Sequence, residues 1–425
     1  MLDEQKVDSH GLDVRIIPTE KYKTTTLVLQ MKTTLQRKTT AARALLANVL
    51  QSATDTHRSR KAIRRYLDEL YGASFHADVQ RKGEYHVISV KMEIANENFI
   101  KNAPPLFQES VSFLQQVLEK PYLPEGSFDK QVINEEKRTL IQRIESIYDD
   151  KMRYANKRLI EHMCSEEPFS VHPYGEAEDV EHLTAQDVMD EYRRMLVADD
   201  MCLYIVGDVA ADDVQKAVSV FSVSKNPEDS SYTPENKTVE PAEEKEIQET
   251  DDIQQGKLHL GYRTPVTFAD EQFSAMQVMN GMFGGFPNSK LFINVREKES
   301  MAYYAASRYE SQKGIVLVMA GIEPADYEKA SAIIKQQMED IRQGTFTDDD
   351  LEQTKTMLKN QLLETMDHPR GLIELYYQQR MAQHQRPFED WLKQIGDVTR
   401  EDVTACASRT VLDTTYFLRN EEDHT

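Results

Sequence analysis

Cysteine, tryptophan, long apolar runs and excess positive charge are all scarce in this chain. Its three cysteines, Cys164, Cys202 and Cys406, are far apart and form no C-x-x-C pair. An odd, scattered set excludes a disulfide framework and fits a reducing compartment. No apolar stretch reaches the roughly 18 residues of a membrane-spanning helix, so no membrane partner is expected. The opening Met1-Leu-Asp-Glu-Gln-Lys6 has neither an apolar signal core nor the Arg-rich, acid-poor character of a transit peptide, so a cytoplasmic location is expected. Lys and Arg number 51 against 72 Asp and Glu, giving a net charge of −21. Nucleic-acid binding needs clustered cations and is excluded as an expectation. The acidic surface keeps the chain soluble; steering a basic peptide is the alternative use of the same charge.

Catalytic motifs are also missing. None of the eleven histidines begins H-x-x-E-H or H-E-x-x-H. The nearest pairs, His76/His86 and His172/His182, are ten residues apart, which gives neither helical i,i+4 spacing nor hairpin adjacency. G-x-S-x-G is absent, and the glycines at 281–285 precede no Lys-Ser/Thr, so they do not form a phosphate loop.

What is present is an internal echo. The 425 residues exceed one ordinary core. Residues 224–252 are acidic and polar, and read as a linker between a first domain, 1–223, and a second, 253–425. Lys137, Leu140, Ile144 and Asp149 recur as Lys355, Leu358, Leu362 and Asp367, at an offset of 218. Leu183-Thr-Ala-Gln-Asp-Val188 recurs as Val398-Thr-Arg-Glu-Asp-Val403, at an offset of 215. Each second segment reads as a Thr N-cap, then a helix, then an apolar strand: Met201–Val206 and Thr415–Leu418. Two near-equal offsets argue for duplication.

Residues 24–31, 85–92, 257–262 and 314–319 read as strands. Helices are expected around Leu45, Leu46, Val49 and Leu50, from Ile63 to Gly72, and over 271–282 and 324–342. The fold class expected is α+β: two homologous domains, each an antiparallel sheet with helices packed on it.

Four ordered stretches carry a resemblance: Leu70-Tyr-Gly-Ala-Ser-Phe-His-Ala77; His172-Pro-Tyr-Gly175 with Leu183-Thr184 and Val206-Gly-Asp208; Gly281-Met-Phe-Gly-Gly-Phe-Pro-Asn-Ser-Lys-Leu-Phe292; and Arg296-Glu-Lys-Glu-Ser-Met-Ala-Tyr303. Together they resemble the insulinase/pitrilysin-type zinc peptidases. Active members place H-x-x-E-H on a first-half helix: two imidazoles bind zinc and the Glu activates its water. Aligned on Leu70-Tyr-Gly-Ala73, that motif falls on Ala44-Leu-Leu-Ala-Asn48. Ala44 and Asn48 take the imidazole positions and Ala47 takes the base. Glu136 matches the third zinc ligand, with Glu135 the alternative one register away; without the resemblance, Glu136 reads as a solvated or salt-bridged helix residue. No zinc, and no other cofactor, is expected in this chain.

In the second half, the resemblance implies that Arg296 and Tyr303, with Tyr304 as alternative, contact substrate and stabilise a tetrahedral oxyanion, for which a guanidinium fork and a phenol are suited. Read alone, Arg296 pairs with Glu297 or Glu299 and the Tyr is a half-buried strand residue. Gly284 and Gly285 resemble the glycine-rich, peptide-touching loop of a non-catalytic processing-peptidase subunit, although Pro287 and Asn288 depart from it; the alternative is a plain turn at a helix end. The implied function is a non-catalytic, substrate-binding subunit that completes the site of a zinc-bearing paralogous peptidase acting on peptides. Self-pairing of the isolated chain is open. A scaffold protein of the same fold, or an enzyme with an unrecognised site, are the other readings.

Overall fold

A computed structural model describes residues 3–9, 11–102, 104–223, 243–299 and 301–420. It divides into two units.

Unit 1 holds a six-stranded sheet built from β1 (Gln5–Val7), β2 (Asp13–Pro18), β3 (Thr24–Thr34), β4 (Ser74–Lys82), β5 (Tyr85–Ala95) and β6 (Asp200–Gly207). The order is β1-β2-β6-β3-β5-β4. Its helices are α1 (Arg37–Val49), α2 (Arg60–Glu69), α3 (Leu106–Glu119), α4 (Lys130–Asp149), α6 (Ala177–His182), α7 (Ala185–Ala198) and α8 (Ala211–Val218). Val14, Leu27, Leu29, Val90, Leu203 and Ile205 from the sheet share one core with Leu45, Leu46, Phe113 and Met195 from the helices. The central strands β3 and β6 are buried on both faces, and in β6 this shows as the continuous apolar run Met201–Val206.

Unit 2 holds β7 (Lys245–Thr250), β8 (Gly256–Arg263), β9 (Ala302–Glu310), β10 (Ile315–Ile322) and β11 (Val411–Arg419), in the order β7-β11-β8-β10-β9. Its helices are α5 (Lys151–Met163), α9 (Phe273–Asn280), α10 (Tyr327–Arg342), α11 (Asp348–Thr365), most of α12 (Pro369–Met381), α13 (Phe388–Asp397) and α14 (Arg400–Ser408). The helices α9, α10 and α14 pack on one face of the sheet through Met276, Ile334 and Val403. On the other face, Leu159, Ile160 and Met163 of α5 meet Ile315, Leu317 and Tyr416.

The two sheets repeat one plan. Five strands correspond in order, β2-β6-β3-β5-β4 to β7-β11-β8-β10-β9. In both, the first of these pairs is parallel and the other three are antiparallel. Details follow the echo. Thr184 and Thr399 each close a capping box with the Asp three residues on, an arrangement worth about 1 kcal/mol per cap. Lys137 Nζ donates to the Glu181 carbonyl at 2.6 Å and Lys355 Nζ to that of Gly396 at 3.1 Å. The 215-residue offset carries Glu181 onto Gly396, so each Lys holds the end of the helix before the capped one.

The units depart from the linear division expected from the sequence. Ile147–Ser170, including α5, belongs to unit 2, and Pro369–Glu374 of α12 to unit 1. The start of α12, Pro369, stands at the 218-residue offset from the start of α5, Lys151. The expected linker also needs correction. Residues 224–242 lie outside the described residues, but Lys245–Thr250 is β7, paired parallel to β11. An edge strand with only Ile247 as a large apolar residue carries the composition of a linker.

His259 lies on β8 between Met319 and Tyr416, fully buried, and neither ring nitrogen has a hydrogen-bond partner among the described residues. Burial, with Lys257 nearby, lowers its pKa from 6.5 to about 3. The unfolded imidazole takes a proton below about pH 6.5 and the folded one does not. Stability should therefore fall as pH drops from there toward 3, by up to about 1.4 kcal/mol per unit. In urea unfolding followed across that range, H259L should flatten this part of the slope; an unchanged slope would refute the assignment.

Candidate functional site: a degenerate metal corner and an exposed Arg/Tyr pair

The helix α1 is buried at every position from Thr40 to Val49. Ala44, Ala47 and Asn48 are 2%, 1% and 6% exposed. Two methyl groups there fill core space and ligate nothing. Beside Ala44, Arg43 is fully buried and joins α1 to α7, to its C-cap Asp199 and to β3: it donates to Glu191 at 2.9 Å, to Asp199 at 2.7 Å and to the Met31 carbonyl at 3.2 Å. Arg194 bonds the same two carboxylates. Desolvation raises the Asp199 pKa, against the pull of both arginines.

The His172–Gly175 stretch lies against the same helix. Gly175 adopts φ +73, and a Cβ there would come 3.0 Å from that of Ala41, so only glycine lets the turn approach α1 this closely.

Glu136, on α4, is 3% exposed. Its carboxylate accepts from Ser52 Oγ, just past the end of α1, at 3.2 Å, and from Nη2 of Arg60 at the start of α2. Arg60 Nε also donates to Ser52 Oγ, at 3.3 Å. Desolvation raises the Glu136 pKa; Arg60 and Ser52 oppose it. Glu136 is thus salt-bridged but buried rather than solvated. Glu135, the alternative, is exposed and bonds Gln131. The Asn48 amide nitrogen, one turn before Ser52, is buried with no hydrogen-bond partner among the described residues. This donor set does not fit zinc, which wants three protein ligands from His, Cys or carboxylate: the one matching carboxylate is already bound to a guanidinium. No group of three or more His, Cys, Asp or Glu among the described residues is arranged to hold a metal.

In unit 2, α9 continues through a π-helical turn, Gly281–Gly285. Gly284 is buried, and a Cβ there would lie 2.6 Å from the backbone nitrogen of Ser307 on β9. Glycine is required for this contact, which turns Gly284 toward strand packing rather than the surface. Gly285 is exposed and lines a cavity of about 410 Å³ floored by Phe273, Leu358, Leu362 and Trp391. The 218-residue offset carries Glu136 onto Thr354, whose methyl faces Gly281.

Arg296 lies in a second π-helical segment, Phe292–Lys298, and is exposed, its guanidinium 4.7 Å from the centre of the Phe292 ring. Glu299 pairs with Lys329 at 2.7 Å instead of with Arg296. Tyr303, on β9, is 64% exposed, and its hydroxyl donates to Glu323 at 3.0 Å. That carboxylate raises the phenol pKa. Tyr304, the alternative, turns inward over Gly321; its hydroxyl is buried, has no hydrogen-bond partner among the described residues, and is pushed up to about 12 by desolvation. The residues missed by sequence reasoning are Ser52 and Arg60; the one local signal was a cation opening a helix whose first turn holds no acid.

A family model described as "Peptidase M16 inactive domain" matches residues 182–358. The chain is 44% identical over 421 residues, 99% of each chain, to the "Probable inactive metalloprotease YmfF" of Bacillus subtilis. A crystal structure of a conserved protein from Enterococcus faecalis is 31% identical with a TM-score of 0.92, covering 99% of this chain and all of that one. A protease from Helicobacter pylori shares the fold at 16% identity and a TM-score of 0.83, over 98% of this chain and all of that one. The chain belongs to the M16 family, the insulinase/pitrilysin-type metallopeptidases. Within it, the chain is a homologue of the inactive kind. No helix among the described residues is long and apolar enough to cross a membrane.

Proposed function

We propose that this chain is the non-catalytic, substrate-binding subunit of a heterodimeric M16 zinc peptidase that processes peptides. The observation that carries the reading is a contrast. The helix α1 holds Ala44, Ala47 and Asn48 where ligands and base would sit, yet Arg296 and Tyr303 stay exposed and carry no core-packing role. A zinc-bearing paralogue supplies the metal and the activated water. This chain supplies Arg296 and Tyr303 to peptide and oxyanion, and Gly285 to the peptide backbone, while Gly284 keeps the turn against β9. Three separate buried thiols suit a cytoplasmic, reducing setting.

The test is to purify the chain alone, the zinc-bearing relative alone, and the two together, then assay peptide cleavage and measure mass in solution. The reading expects no cleavage by this chain alone and full activity only in a mixed species. Cleavage by the lone chain would sink it. A lone-chain homodimer without activity, and no gain on mixing, would favour the scaffold reading instead.

A further inference from the structure

The corner around Glu136 disagrees with a metal site in a specific way: it already contains a cation. Glu136 on α4, Ser52 in the turn after α1 and Arg60 at the start of α2 meet through three hydrogen bonds. A carboxylate 3% exposed must be paired or neutralised, because the interior solvates charge poorly. The matched positions on α1, Ala44, Ala47 and Asn48, carry methyls and an amide and offer no positive partner.

Arg60 is placed against its own helix's interest. It is the first residue of α2, whose first turn contains no acidic residue, and Lys61 follows it. Positive charge at a helix N-terminus opposes the macrodipole. Although 61% of its side chain is exposed, the guanidinium turns to the buried carboxylate and bonds it with Nη2, while Nε holds Ser52.

We propose that Arg60 is the resident cation of this corner, a guanidinium doing for Glu136 the charge-balancing that a metal ion would do. It ties the start of α2 to α4 and, through Ser52, to the end of α1. The corner is then a charge-locked joint rather than an empty metal site. Restoring the lost imidazoles would leave Arg60 still competing for Glu136.

Urea unfolding of the full chain with R60Q, E136Q and R60Q/E136Q tests this. R60Q strands a buried carboxylate and should lower the unfolding midpoint clearly. E136Q keeps an acceptor for Ser52 and Arg60 and should cost less. In the double variant the stranded charge is gone, so most of the R60Q loss should be recovered. A metal arm reads the same claim independently. A chain carrying A44H and N48H should bind zinc at least about tenfold more tightly when R60Q is added, because a cation leaves the site. An R60Q chain as stable as the parent, or R60Q and E136Q effects that simply add, would overturn the proposal. Should the A44H/N48H chain not fold, the unfolding cycle decides alone.

Discussion

Replacing Arg43 by alanine should destabilise unit 1 by about 3–5 kcal/mol, the cost of breaking a buried ion pair from one side. Arg43 and Arg194 balance Glu191 and Asp199 in a nearly closed set of two cations and two anions, with Arg43 and Asp199 at zero side-chain exposure. Without Arg43, the fully buried Asp199 carboxylate keeps, among the described residues, a 3.3 Å contact with Arg194. R43M, which keeps much of the volume, should lose nearly as much as R43A if the charge dominates. Adding D199N should return part of the loss. Denaturant unfolding of the three variants checks this; a loss below about 1 kcal/mol in R43A, the range of a typical exposed ion pair, would show that the network is not structural.

The largest functional effect is expected at Arg296. In the mixed complex, R296A should lower kcat by about 10²–10³-fold, the usual consequence of removing an oxyanion donor. Y303F should act in the same direction. Neither change should move stability beyond about 0.5 kcal/mol, since both side chains are exposed and outside the core. Their recorded contacts are local: the Phe292 ring for Arg296 and the Glu323 carboxylate for Tyr303. Steady-state kinetics with unfolding controls separate the cases. Unchanged turnover in R296A would leave the pair vestigial and return the chain to a scaffold role. A rise in KM with kcat constant would make Arg296 a binding residue without a part in the transition state.

The sequence told most where residues are buried on both sides. The strands β3, β5, β6, β8, β10 and β11 carry apolar stretches and were legible as strands. The edge strands β4 and β7 were not, because most of their residues are only partly buried or exposed. The two Thr caps and the repeated helices were legible because capping chemistry is local. The exchange of α5 and Pro369–Glu374 between units was not, since periodicity says which face of a helix is apolar but not which sheet covers it. The same limit applies at the degenerate corner. The missing ligands could be read from one helix, whereas the Arg60–Glu136 pair joins residues 76 apart and only the folded chain brings them together. At Gly284 the glycine-rich pattern was visible, but not that a strand backbone presses on it.

The non-catalytic role proposed for this chain rests on α1 offering no metal ligands. The most direct measurement is the zinc content of the full chain, expressed with zinc supplied and purified without its relative, alongside its peptidase activity. Far less than one zinc per chain, unaltered by E136Q, and no cleavage are expected. One tightly held zinc per chain, lost on replacing Glu136 or Asn48, would contradict that role.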